Sequence, residues 1–171
     1  AAKIAVDKIQ LGQLLGGGIA GNQIKGPLSL NLDLTGAGES QAAIVRSLTG
    51  KGDLGGTMMI IGKVEQQVGS ALLGVLGQKV KQVKGVADSI NGVIGSYMGV
   101  DNQLSGTFDV AQGVLDTQDF AFTNPKARGT AKGQVDLGAW ALNMLVDLFG
   151  QQAEQAFMSI NLTGPVNSPN P

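Results

Sequence analysis

The stretch KARGTAKGQVDL, residues 126–137, sorts by every second position. Ala127, Gly129, Ala131, Gly133, Val135 and Leu137 form one set. Lys126, Arg128, Thr130, Lys132, Gln134 and Asp136 form the other. A period of two belongs to a β-strand with one dry face and one wet face. The dry face is nearly bare, and Ala and Gly contribute little burial of their own. Something must therefore approach this strand closely enough that only hydrogen or methyl side chains fit.

Outward from it the chain keeps the same rhythm. GTFDVAQGVL (106–115) and DTQDFAFTN (116–124) precede it, with a tight join near residues 113–116. WALNMLVDL (140–148) and FMSINLTG (157–164) follow. Short loops between successive strands predict a meander of antiparallel neighbours. The tail PVNSPNP (165–171) cannot continue a sheet. Towards the N-terminus, PLSLNLDLTG (27–36) alternates most cleanly: Leu28, Leu30, Leu32 and Leu34 on one side, Ser29, Asn31, Asp33 and Thr35 on the other. KIAVDKIQL (3–11) and GKGDLGGTMMIIG (50–62) read as further strands, and LGQLLGG (11–17) as a helical turn. SQAAIVRSLTG (40–50) reads as a helix with Ser40 as N-cap and Gly50 as terminator.

Residues 63–98 differ from the rest. Val64, Val68, Leu72 and Val75, then Val83, Val86, Ile90 and Ile94, recur at three and four, a helical period. Several glycines interrupt it, each costing about 1 kcal/mol against Ala, with a break expected near residues 84–85. The predicted fold class is α+β: an antiparallel, curved meander with helices packed on one side and a partial groove. One domain is expected over 1–164, with a helical insert at about 63–98 and a Pro-containing tail at 165–171. The Gly-bearing insert is the expected occupant of the bare face.

Composition excludes much. With a net charge of −1 and no Lys/Arg stripe, no nucleic-acid partner is expected; Lys79, Lys81 and Lys84 read as a solvated helix face. The chain has no Cys and no His, which removes thiol chemistry, disulfides, imidazole triads and the usual zinc sites. GGG (16–18) and GKGDLGG (50–56) lack the ending of a phosphate loop. Asp101, Asp109, Asp116 and Asp119 fit no EF-hand and read as turn residues. No cofactor, metal or catalytic pair is expected. No uncharged apolar run reaches the 18 or so residues that span a bilayer, and the chain reads as a fragment of something longer.

Taken together, the motifs resemble the C-terminal region of the AsmA family of bacterial envelope proteins. The resemblance rests on Thr107, Phe108, Val110, Gly113, Val114 and Leu115, then Gly129, Gly133, Val135, Asp136 and Leu137, then Gly164, Pro165 and Pro169. KIAVDKIQLGQLL, LSLNLDLTGAGES and LTGKGDLGGTMMIIG extend it over nearly the whole chain, apart from 63–98. It implies the periplasmic part of an inner-membrane-anchored protein, similar to TamB-like β-groove proteins, that supports outer-membrane assembly by binding or conducting phospholipid. The lining candidates are Leu28, Leu30, Leu32, Leu34, Phe108, Val110, Phe120, Phe122, Trp140, Leu142 and Met144, with Val146, Ile160 and Leu162 beside them. The competing reading of each is an ordinary core residue covered by helices. For the module itself, the alternative is a structural piece that caps the parent's groove or binds an envelope partner without holding lipid.

Overall fold

A computed structural model describes residues 2–10, 24–61, 92, 95–150, 152–166 and 170. The elements are β1 (Ala2–Gln10), β2 (Ile24–Lys25), β3 (Pro27–Thr35), α1 (Gln41–Ser47), β4 (Thr49–Ile60), β5 (Asp101–Ala111), β6 (Val114–Thr123), β7 (Ala127–Asp136), β8 (Ala141–Gly150) and β9 (Met158–Pro165). They form one antiparallel sheet in the order β1-β3-β4-β5-β6-β7-β8-β9, with β2 also paired to β4. β2 and β3 keep one register against β4: Ile24 faces Ile60 and Leu28 faces Gly56. The sheet is open, so the fold is mostly β rather than a balanced α+β arrangement. The meander is as expected; the described residues carry one short helix. α1 has no buried residue and joins β3 to β4. Most of the expected helix at 63–98, and the turn at 11–17, lie outside the described residues.

Registers gather the apolar residues on one face. Leu30 stands opposite Leu54, Leu104 opposite Phe122, Ala131 opposite Val146, and Val146 opposite Ile160. The bare strand is β7, and among the described residues the ring that lies against it is Phe122 of β6. A Cβ added at Gly129 would lie 2.1 Å from Cζ of Phe122, its register partner. The same device recurs on β4 and β5: a Cβ on Gly52 would meet the Phe108 ring at 2.5 Å, and one on Gly106 would meet Phe120. Large rings lie across glycines on the next strand, so the apolar face is filled from within the sheet. The insert contributes Tyr97, whose ring centroid sits 5.4 Å from that of Phe122.

β6 carries one extra residue against both neighbours. Its ladder shifts between Asp109 and Ser105 on one side and between Thr117 and Phe120 on the other. A bulge of one residue resets the alternation. Thr117 before it and Phe122 after it are consequently both buried, although one position is odd and the other even. The Asp119 carboxylate takes over a broken ladder bond, accepting from the Thr107 N–H at 2.8 Å and from the Thr107 hydroxyl at 2.7 Å. These bonds, the backbone one foremost, hold the Asp119 carboxyl below the ordinary carboxylate range. Asp116 is held down likewise by the Gln118 and Gln134 amides. Both are strand residues, not the turn residues the spacing suggested. A depressed folded pKa gives stability that is complete above the ordinary value of 3.8 and lost as pH falls through the lower folded one. Unfolding free energies measured from about pH 5 to pH 2 should therefore fall, and Asp119→Asn should flatten that slope.

The β5–β6 join is a two-residue turn at Gln112 (φ 51°) and Gly113 (φ 76°). Two positive φ values in a row are the signature of a type I′ hairpin. The Gly113 N–H donates to the Leu48 carbonyl, and its own carbonyl accepts from the Leu137 N–H. A Cβ there would lie 2.6 Å from the Val45 carbonyl oxygen. Gly113→Ala should lower the unfolding free energy by about 2 kcal/mol, from backbone strain and the clash together; an unchanged urea midpoint would refute this. Ser40 is the N-cap of α1, its Oγ accepting from the Ala43 N–H. Gly50, expected to end the helix, instead belongs to β4; the cap residue is Leu48.

Candidate functional site

The candidate site is the apolar face of the sheet. Ten of the eleven lining candidates stand on it. Leu28, Phe108, Val110 and Phe122 are buried, while Leu30, Leu32, Leu34, Phe120, Leu142 and Met144 are half-buried. Val146, Ile160 and Leu162 extend the face across β8 and β9, also half-buried. The face thus runs from β3 to β9 and is only partly covered.

Trp140 is the exception. The strand expected from residue 140 begins at Ala141, and Trp140 closes the β7–β8 turn with φ 51° and 41% exposure. The turn is built by Asp136, whose Oδ1 accepts from the N–H groups of Gly138 and Ala139 at 2.8 Å each. Val166 then donates its N–H to the Trp140 carbonyl at 3.0 Å. The tail also pairs: Asn170 and Thr163 exchange backbone hydrogen bonds on the outer edge of β9, contrary to the expectation that it leaves the sheet.

At the opposite end of the strands, the insert returns to the sheet through a polar clasp. Gly99 donates its N–H to the Ile60 carbonyl. The Tyr97 hydroxyl donates to the Arg128 carbonyl, with the Phe149 carbonyl 3.2 Å away. Its side chain therefore spans from β5 to β8, packed with Leu28, Leu104, Phe122, Ala127 and Leu148. Burial raises the Tyr97 pKa above its ordinary value. Asn102 is fully buried, and its amide reaches the carbonyls of Tyr97, Met58 and Val100 at 2.9–3.1 Å. Asn124 donates to Asn102 Oδ1 at 2.7 Å and to the Ser96 carbonyl at 3.0 Å. No buried side-chain N or O among the described residues lacks a partner. Periodicity did not single out this clasp. The available signal was Asn102 itself, a polar residue at a position whose alternate neighbours Leu104, Phe108 and Val110 are all apolar.

Chemically, the described residues of the face offer mainly apolar contact. Among the described residues, no three acidic, His or Cys side chains converge as a metal site, and no helix is long and apolar enough to cross a membrane. No family model matches the chain, nor does any curated protein or solved structure.

Proposed function

We propose that this chain is a non-enzymatic module that binds or conducts phospholipid, in the manner its resemblance to the AsmA family implies. The observation that carries this reading is the apolar face on an open sheet, half-exposed over much of its extent from β3 to β9. A contiguous apolar surface of that kind marks a binding surface more often than an ordinary exterior. The bulge in β6 and the Phe-on-Gly pairs support a curved, groove-like sheet, since bulges raise local twist and let strands bend. In that reading the acyl chains lie on Leu30, Leu32, Leu34, Leu142 and Met144. The family resemblance supports a periplasmic setting and a role in outer-membrane biogenesis.

One structural feature favours a second reading, an interaction module. β1 ends the sheet, and among the described residues no strand pairs its outer edge. Such an edge is a template for strand addition by a partner.

Native mass spectrometry with lipid extraction, on protein purified without detergent, separates the two. Phospholipid at defined stoichiometry is expected. An apo mass, together with no uptake from vesicles, would remove direct lipid handling and leave the interaction reading.

A further inference from the structure

Away from the Tyr97 clasp, α1 and two turns meet. The Gln112–Gly113 hairpin, the C-terminal turn of α1 and the β7–β8 turn enclose an open, mainly polar cleft. It is lined by Arg46, Gln112, Gly113, Asp136, Gly138 and Ala139. Three observations meet here. The Arg46 side chain has no hydrogen bond or ion pair among the described residues, although Asp136 lines the same cleft. Asp136 commits one carboxylate oxygen, Oδ1, to the turn. Trp140, directly after Ala139, stands exposed at a positive φ that bulky residues rarely adopt. Glycine would occupy that position without strain, so the indole is present at a cost to the fold, and strain of this kind concentrates at functional positions.

A cation and an anion that share a cleft without neutralising each other are complementary to a zwitterion. An exposed indole suits the layer between headgroups and acyl chains. We propose that this end of the sheet docks on a bilayer surface of zwitterionic phospholipid. The Arg46 guanidinium takes the phosphate, Asp136 the ammonium group, and Trp140 enters the interfacial layer. The proposal rests on the phospholipid reading above and adds where the module meets the membrane.

Trp140 is the only Trp in the chain, so its fluorescence reports on this turn alone. Titration with phosphatidylethanolamine–phosphatidylcholine vesicles should give a saturable blue shift. In vesicle flotation, Arg46→Gln and Trp140→Gly should each weaken binding about tenfold, the loss of one charge-assisted or anchoring contact. Trp140→Gly should at the same time raise the thermal midpoint, which separates lost docking from lost folding. Asp136→Asn keeps an acceptor for the turn and should shift preference towards phosphatidylglycerol. No shift with the wild-type chain, or wild-type binding by both Arg46→Gln and Trp140→Gly, overturns the proposal. Lipid carried in native mass spectra without vesicle docking would sink this inference alone. Docking that these variants abolish, on protein that carries no lipid, would sustain it while the acyl-chain reading fails.

Discussion

Asn102→Ala is expected to lower the unfolding free energy by about 3–4 kcal/mol. The side chain has no exposed surface. Its amide satisfies carbonyls from β4 and from the segment leading into β5, and its oxygen accepts from Asn124. Alanine leaves those carbonyls and the Asn124 amide without partners in a dry site, and each unmet buried group costs about 1–3 kcal/mol. It also leaves a cavity. Asn102→Leu would fill the volume but not the bonds, so it should be rescued only slightly. Urea unfolding checks this: the midpoint should drop with an unchanged m-value. A loss below about 1 kcal/mol would mean that water replaces the side chain and that the clasp is not closed.

Gly129→Ala is the second. In an ordinary strand this change stabilises by roughly 0.5–1 kcal/mol, because Ala loses less backbone freedom on folding. Here the sign should reverse, with a loss of about 2–3 kcal/mol. The new methyl would overlap the Phe122 ring, which is itself hemmed in by Tyr97 and Phe120. Phe122→Leu in the same chain should relieve the clash, so the double mutant should be more stable than the sum of the single losses by about 1 kcal/mol or more. Additive losses would show that the ring does not rest on Gly129.

The two variants also mark where sequence reading succeeds and where it stops. Alternation placed Leu28, Leu30, Leu32 and Leu34 on one face, and short loops gave the meander, because both signals are local. What fills the bare side of β7 is not local. Gly129 and Phe122 are each unremarkable in their own strands; only register sets one across the other, and the bulge at Gln118 and Asp119 moves that register by one residue. The α+β expectation rests on a helical period at 63–98, most of which lies outside the described residues, while its last member, Tyr97, packs on the sheet. Alternation carries Trp140 into the strand, because WALNMLVDL alternates from its first letter, whereas the residue sits in a left-handed turn. The cleft at Arg46 was illegible for a related reason: its lining comes from three connections that are distant in sequence and meet only once the strands are paired.

The β4–β5 pairing carries a kinetic consequence. Met59 and Asp101 are register partners, yet about forty residues separate them, whereas β5 and β6 are joined by two. Loop closure grows by about 0.6 kcal/mol per doubling, so bringing β4 to β5 costs roughly 2–3 kcal/mol more than closing the hairpin beside it. Pairing should therefore begin within β5 to β9, where every step is short, and reach β4 late. The Tyr97 and Asn102 clasp then acts as a latch that closes after the strands on either side have zipped. Variants on β6 and β7 should slow folding, while variants in the latch should mainly speed unfolding. The long connection thereby divides one continuous sheet into an early half and a late half.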